Sequence, residues 1–257
     1  MNIFVTNDDG IKAEGITNLV SALSEIADIY VGAPNEQKSA SGHGITLGRE
    51  ITVEEVSFTN AKRALCIAGT PVDCVKIGLD IFQRDGIIID KVFSGINMGG
   101  NLGTDTLYSG TVSAAVEGLL CGVPSVAVSV NSHAPKHYDV ACELAVKAAK
   151  LDFSTIDENM VLNINAPNIA KEEVKGVVVT GLGVREYDSW YEEAACENGK
   201  RSFVYAGSPV YYEDLSCETN DVGASQEKYA TITPLHYDLT NYDLIEKVKA
   251  TELAELL

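Results

Sequence analysis

The chain has 257 residues, of which 46% are hydrophobic, and this length is sufficient for one substantial core. Its 37 acidic and 19 basic residues give a formal net charge of −18, which argues against binding to nucleic acid polymers or anionic membranes. No apolar stretch approaches the roughly 18 residues that a membrane span needs, so no span is expected.

The start of the chain and its cysteines favour a cytoplasmic location. The opening MNIFVTNDDG lacks the basic residues and the long apolar run of a secretory signal. The six cysteines form no C-x-x-C pair, and most lie in apolar runs such as LLCGVP and DVACELA. We therefore expect buried, reduced thiols rather than disulfides or a zinc site.

Strands and helices alternate along the first two thirds of the chain. The first strand is predicted at Asn2–Thr6, and the following GITNLVSALSEIA has apolar residues at the helical period of about 3.6 residues. Thr70 and Pro71 mark a later helix as its N-cap and its first residue, and Ser109 opens another. A further helix is predicted at 137–150. Strands or extended segments are predicted at 28–34, 45–58, 63–68, 91–96, 124–130, 161–166 and 177–180.

This alternation predicts an α/β fold, with a Rossmann-like, mostly parallel sheet and helices on both faces. The pattern ends after Leu182, where a region rich in Tyr, Glu, Asp and Gly begins. We predict a single domain over 1–257, divided into an α/β core (1–182), extended arms or hairpins (183–239) and a C-terminal helix (240–257). Because such arms bury little apolar surface alone, a partner subunit is expected.

Three loops are candidates for a functional site. In an open parallel sheet, ligands bind beyond the carboxyl ends of the strands, where the strand order reverses. The first loop carries Asp8 and Asp9, in VTNDDGI. The second, NEQKSASGHG, carries Ser39, Ser41 and His43, and the third runs from residue 97 to residue 111, as NMGGNLGTDTLYSGT.

Asp8 and Asp9 allow two interpretations. In the first, they form a turn that caps a helix beginning near Ala13 or Glu14. In the second, they bind a divalent cation, which relieves the repulsion that raises the pKa of neighbouring carboxylates. Oxygen ligands suit Mg²⁺ or Mn²⁺ better than zinc or copper, and the other two loops offer a serine hydroxyl and an asparagine carbonyl.

The third loop has the composition of a phosphate site. Its glycines allow the backbone to approach a ligand, and the helix that begins after Ser109 offers free N–H groups. An ordinary Gly-rich loop with a capping serine is the alternative. His43 is either a proton shuttle or a structural histidine. The sequence lacks the motifs of P-loop proteins, dinucleotide-binding proteins and α/β-hydrolases.

Taken together, four segments resemble the SurE survival-protein family of metal-dependent phosphatases that act on nucleoside monophosphates. The segments are VTNDDGI, APNEQKSASGHGITL, GTPVDCVKIGL and FSGINMGGNLGTDTLYSGTVSAAVEG. Weaker matches at LNINAP and TITPLHYDLT extend the resemblance over nearly the whole chain. The region 184–228 is only loosely similar, and Lys228 stands where the family usually has glycine before tyrosine.

The resemblance implies a ligand set, a substrate site and an assembly. One divalent cation, Mg²⁺ or Mn²⁺, would be held by Asp8, Asp9, Ser39 and Asn97. The phosphate would be bound by Asn101, Ser109, Gly110 and Thr111. The family's dimers and tetramers exchange C-terminal segments, so a homodimer or homotetramer is expected.

We therefore expect a phosphomonoesterase that hydrolyses nucleoside monophosphates, a 5′-nucleotidase with 3′-nucleotides and polyphosphate as further candidate substrates. One of the paired acids, Asp8 or Asp9, would orient or deprotonate a metal-activated water. Asp8 could instead attack as a covalent nucleophile. That alternative is less favoured, because phosphatases of that type space their acids as D-x-D. A non-catalytic, metal-dependent nucleotide sensor is the alternative from another class.

Overall fold

The computed structural model describes residues 1–197, 199–210 and 219–251. The strands within these residues are β1 (Asn2–Thr6), β2 (Asp28–Pro34), β3 (Val53–Val56), β4 (Arg63–Ile67), β5 (Lys91–Met98), β6 (Ser125–Asn131), β7 (Val161–Pro167), β8 (Val177–Val179), β9 (Tyr191–Glu197), β10 (Lys200–Tyr205) and β11 (Ala230–Leu235). The α-helices are α1 (Glu14–Ser24), α2 (Pro71–Arg84), α3 (Gly110–Leu120), α4 (Asp139–Ala149), α5 (Asp221–Gln226) and α6 (Tyr242–Lys249).

Nine strands form one sheet in the order β3-β4-β2-β1-β5-β6-β7-β11-β8. The strands from β4 to β7 in this order are parallel, while β3 and β11 pair antiparallel with their neighbours β4 and β7. The chain moves outward from β1 through β2 to β4, and then returns to place β5 on the other side of β1. The reversal of strand order therefore lies between β1 and β5.

Helices cover both faces of this sheet, which confirms the predicted fold class. On one face, α1 and α4 pack together over the larger apolar cluster. On the other face, α2 and α3 pack over a cluster that contains Phe4. The Phe4 and Phe82 ring centroids are 6.1 Å apart, and Gly78 allows α2 to approach, because a Cβ there would lie 2.4 Å from the Phe4 ring. Thr70 forms the predicted cap of α2 as part of a capping box with Asp73.

The predicted extended segment over 45–58 is wrong for its first part, because the strand in this region is only β3. The cause is a competing interaction with α2. The backbone N–H of Thr46 donates to the Asp73 carboxylate (3.1 Å), and the Thr46 hydroxyl donates to the same group (2.6 Å). The chain before β3 therefore binds the start of α2 instead of a neighbouring strand.

The predicted limit of the core at residue 182 also needs correction. β11 lies between β7 and β8 in the central sheet, so Ala230–Leu235 belongs to the core and not to the arms. The buried side chains of this strand are Ala230, Thr231 and Thr233. The Thr233 hydroxyl lies 3.1 Å from the Thr180 hydroxyl. A strand that buries threonines lacks the apolar alternation that marks a core strand in sequence.

The hairpin of β9 and β10 is a separate two-stranded antiparallel sheet. It carries exposed aromatic side chains, and Trp190 just before it is 71% exposed. Helix α6 begins after Asn241, whose side chain makes no capping hydrogen bond, and it has no buried residue. Residues 211–218 of the predicted arms and 252–257 of the predicted final helix lie outside the described residues.

The cysteines are less uniformly buried than the sequence indicates. Cys74 is buried, whereas Cys121 and Cys196 are exposed. Cys121 follows the last turn of α3, and Cys196 lies on the exposed hairpin, so neither faces the core. All five cysteines that the structure describes are free thiols; Cys217 falls outside that part of the chain. No helix within the described ranges is long and apolar enough to cross a bilayer.

Candidate metal and phosphate site

The loop after β1 is a tight turn that does not cap α1. The Asn7 side chain donates to the Gly10 carbonyl (2.9 Å) and accepts from the Gly10 N–H (3.2 Å). The N-cap of α1 is Ala13, and no side chain caps the helix. The capping interpretation of Asp8 and Asp9 is therefore wrong, and both carboxylates are available for another role.

Asp8 lies against the first turn of α3. Its Oδ1 accepts a 2.6 Å hydrogen bond from the Thr111 hydroxyl. Gly110 is closer still, since a Cβ at that position would lie 2.8 Å from the Asp8 Cβ and 3.0 Å from its Oδ2. Any side chain at residue 110 would push Asp8 away from the helix, so the glycine sets this contact.

Asp9 reaches across the reversal of strand order to the end of β5. Its Oδ2 accepts from the Met98 N–H (3.0 Å), and its Oδ1 accepts from the Gln37 side chain (3.1 Å). The neighbouring Asn97 donates its side-chain amide to the Gly99 carbonyl (2.7 Å). That bond fixes the side chain and leaves the Asn97 amide oxygen as an acceptor for a ligand.

Burial makes the paired carboxylates costly to ionise. Asp8 is only 4% exposed, and burial raises its pKa to about 6, with the charge of Asp9 acting in the same direction. The Thr111 hydrogen bond opposes this shift. Burial also raises the pKa of Asp9, against the hydrogen bonds from Met98 and Gln37. A cation between the two acids would favour their charged forms.

The second loop is tied to both of the others. The Lys38 N–H donates to the Asp8 carbonyl (2.7 Å), and the Gly42 N–H donates to the Tyr108 carbonyl (3.1 Å). Ser39 follows Lys38 directly and is exposed. The chain thus brings Ser39 to the same edge of the sheet without a direct side-chain contact to the acids.

The third loop leads into α3 as predicted. Ser109 is the N-cap, and its hydroxyl accepts from the Val112 N–H at 3.0 Å. Gly110 and Thr111 follow in the first turn, where backbone N–H groups have no partner within the helix. A helix start of this kind can bind a phosphate oxygen.

Asn101 has an anchoring role in the third loop. Its N–H donates to the Asn165 side chain, its side-chain amide donates to the Ser129 hydroxyl, and its carbonyl accepts from Asn163, all at 2.8 Å. These partners lie on β6 and β7, so Asn101 fastens the glycine-rich loop to the carboxyl edge of the sheet. A contact between Asn101 and a substrate stays a prediction.

A second anchor links this loop to the region of the hairpin. Asp105 accepts a 2.5 Å hydrogen bond from the Tyr187 hydroxyl and pairs with Arg185 at 3.1 Å. The Arg185 side chain also donates to the Gly100 carbonyl (3.3 Å). The chain that leads into β9 is therefore attached to the candidate phosphate loop.

His43 contacts a buried carboxylate, a partner that the sequence does not reveal. Its Nε2 lies 2.7 Å from Oε2 of Glu117, which is 4% exposed on α3. The other Glu117 oxygen accepts from Lys76 of α2 at 2.6 Å. From the segment AAVEGLL alone, Glu117 would be expected to face solvent. It is buried only because the second loop and α2 pack over it.

The donor set of this edge fits a hard divalent cation. Two carboxylates, an amide oxygen and a hydroxyl are all oxygen donors, of the kind that Mg²⁺ and Mn²⁺ prefer. Burial raises the pKa of both acids, so keeping them charged without a cation carries a cost. Within the ranges described, no cluster of three or more His, Cys, Asp or Glu side chains offers a different metal site.

These features define a class: an α/β protein with paired acids beside a helix N-terminus at the reversal of its strand order. The model of the family described as Survival protein SurE matches residues 3–189. The 5′-nucleotidase SurE of Syntrophomonas wolfei is 43% identical over 251 residues, which cover 97% of this chain and 94% of that protein. The 5′-nucleotidase SurE of Petrotoga mobilis is 41% identical and covers 97% and 98%, respectively.

A solved structure agrees with these sequence matches. The crystal structure of the SurE protein from Aquifex aeolicus superimposes with a TM-score of 0.81 at 33% identity, and the match covers 97% of this chain and 98% of that one. The chain belongs to the SurE family. The resemblance seen in its motifs is therefore confirmed.

Proposed function

We propose that the protein is a metal-dependent phosphomonoesterase that hydrolyses nucleoside monophosphates, with 5′-nucleotides as its main substrates. The relatives from Syntrophomonas wolfei and Petrotoga mobilis, both named 5′-nucleotidase SurE, support this activity. The observation that carries it is the contact of the buried Asp8 carboxylate with Thr111 in the first turn of α3. A cation on Asp8 and a phosphate at the start of α3 would be direct neighbours.

We assign the cation to Asp8, Asp9, Ser39 and Asn97, as one Mg²⁺ or Mn²⁺ ion. When bound, such an ion supplies Lewis acidity toward a phosphoryl oxygen and lowers the pKa of a bound water. Asp8 and Asp9 supply the negative charge that retains it. The amide oxygen of Asn97 is free to bind it, since the Asn97 amide nitrogen is used by Gly99.

The remaining residues act on the phosphate and the water. The backbone N–H groups of the first turn of α3, at Gly110 and Thr111, would hold phosphoryl oxygens as their charge increases in the transition state. Ser109 holds the first turn of the helix in place through its cap. Asp9 is partly exposed and can orient or deprotonate the attacking water. Asp8 is less suited to attack phosphorus, because one of its oxygens accepts the Thr111 hydroxyl.

We further propose a homodimer or homotetramer formed through the C-terminal segments, in the cytoplasm. The hairpin has exposed aromatic residues, with Tyr191 at 62% and Tyr205 at 58%, and α6 exposes Val248 and Leu244. Apolar side chains concentrated in two elements with little packing of their own are typical of subunit contacts. The free thiols among the described residues agree with a reducing compartment.

A phosphate-release screen tests the proposed activity. Wild-type protein is assayed on 5′- and 3′-nucleoside monophosphates and on polyphosphate, with Mg²⁺, Mn²⁺ or EDTA. We expect release from 5′-nucleotides that EDTA abolishes and Asp8→Asn reduces by at least about 100-fold. Nucleotide binding without release would favour a sensor instead, and phosphate attached to the protein during turnover would favour Asp8 as nucleophile.

A further inference from the structure

We propose that the Ser41 hydroxyl donates a hydrogen bond to the phosphoryl group of the substrate, and that Glu117 positions it through His43. This inference rests on the proposed phosphatase function and adds two residues to its site. None of the predicted metal or phosphate contacts includes either side chain.

Ser41 has a buried hydroxyl that faces the start of α3. Its Oγ is shielded from solvent and has no hydrogen-bond partner in the part of the chain that the structure describes. A Cβ on Gly110 would lie 2.8 Å from this oxygen and 3.0 Å from Oδ2 of Asp8. The Ser41 hydroxyl and the Asp8 carboxylate therefore border the same side of the first residue of α3.

An unpartnered hydroxyl in this position indicates a ligand. Buried polar groups are nearly always hydrogen-bonded, and one without a partner requires an explanation. The helix N-terminus beside Ser41 favours negative charge and offers its own free N–H groups. A hydroxyl that joins these donors completes a set suited to the oxygens of a phosphate.

The chain holds Ser41 there by two contacts along α3. Gly42 donates its N–H to the Tyr108 carbonyl just before the helix (3.1 Å). His43 then reaches Glu117 at 2.7 Å. Glu117 follows Gly110 by seven positions, about two turns, so both lie on the same face of the helix. Residues 41–43 thus lie along α3, with Ser41 at its start and His43 farther along it.

Glu117 is the fixed point of this arrangement. It is 4% exposed, and each of its oxygens has a partner, His43 on one side and Lys76 on the other, at 2.7 and 2.6 Å. Lys76 belongs to α2, which packs on α3. Because both helices are part of the core, the carboxylate gives the exposed second loop a rigid attachment.

The first test compares Ser41→Ala with Ser41→Thr, which keeps the hydroxyl. Inorganic phosphate, the product of the proposed reaction, is titrated by calorimetry into protein with saturating Mn²⁺, and kcat/KM is measured on a 5′-nucleotide. We expect Ser41→Ala to lower both the phosphate affinity and kcat/KM by about 10- to 100-fold, which is the effect of one hydrogen bond to a charged group. Ser41→Thr should remain closer to wild type in both quantities. The Mn²⁺ affinity and the urea midpoint should not fall.

Thr231→Val is the matched control, since it removes another buried hydroxyl that has no partner among the described residues, on β11, four strands from β1. It should leave phosphate affinity unchanged. Equal phosphate affinity in Ser41→Ala and wild type would overturn the inference while leaving the proposed function intact. Wild-type protein that neither binds nor releases phosphate would overturn both.

The positioning role of Glu117 is tested by a double-mutant cycle. Glu117→Gln, or His43→Ala if the first variant folds poorly, should weaken phosphate binding and kcat/KM without changing Mn²⁺ affinity. When Ser41→Ala is combined with either variant, the total fold loss should be smaller than the product of the two separate losses. Both substitutions would act through the same contact between Ser41 and the phosphate. Losses that multiply independently would contradict the positioning role.

Discussion

Replacing Asp8 by asparagine should stabilise the metal-free protein at neutral pH, although it should abolish metal-dependent activity. Asp8 is almost completely buried next to another carboxylate, and its pKa is raised from 3.8 to about 6. Asparagine is nearly the same size, carries no charge, and keeps an oxygen that can accept from Thr111. The substitution therefore removes the cost of ionising residue 8.

The size of the effect follows from the shift in pKa. Raising the pKa of Asp8 from 3.8 to about 6 corresponds to roughly 3 kcal/mol of free energy of unfolding. Because the pKa of Asp8 is higher in the folded state, the wild-type protein keeps about 3 kcal/mol of stability below about pH 4, where Asp8 is protonated. It loses this stability as the pH rises through about 6. Asp8→Asn lacks this loss, so the difference between the proteins should be near zero at about pH 4 and greatest above about pH 7.

Urea unfolding in EDTA at about pH 4 and pH 8 measures this difference, and the flanking Asp9 is common to both proteins. At pH 8 the variant should be more stable by up to about 3 kcal/mol, and adding Mn²⁺ should stabilise only the wild type. A difference that is the same at both pH values, or a wild type that is more stable than Asp8→Asn at pH 8 in EDTA, would refute the reasoning.

Mn²⁺ affinity should fall by at least about 10-fold between pH 7 and pH 5, because Asp8 must lose a proton to bind the ion; calorimetry at both pH values checks this, and an unchanged affinity contradicts it. Gly110→Ala should lower kcat/KM by over about 100-fold and stability by about 1–3 kcal/mol, because its Cβ would collide with Asp8; urea unfolding and kinetics measure both, and near-normal values would argue against the tight contact. Trp190→Ser with Tyr205→Ser should shift the oligomer toward smaller species in light scattering, and an unchanged mass would exclude the hairpin from the interface.

Some features of the site could be predicted because they are local in sequence. Asp8 and Asp9 follow a short apolar run that predicts a buried strand, and Thr70 and Ser109 precede helices that they cap as expected. Such signals depend on residues within one or two turns of each other. They are therefore readable without knowing which other segments lie nearby.

Other features depend on which segments the fold brings together. Glu117 is a charged residue in an apolar helix, and only its contacts with the second loop and α2 make it a buried anchor. Ser41 is one of several serines in a polar loop until Gly110 and Asp8 are seen beside its hydroxyl. The place of β11 in the central sheet also escaped prediction. Threonines occupy its buried positions, so its sequence lacks the apolar alternation of a core strand.

The sequence by itself determined the alternation of strands and helices, the paired acids, and the glycine-rich start of α3. These follow from hydrophobic period, capping and composition, which act over short distances along the chain. Only the tertiary structure decided that Asp8 faces Thr111, that Asp9 reaches Met98, and that the second loop is fixed on α3. Burial and hydrogen-bond partners are properties of packed surfaces, so they exist only once distant segments meet.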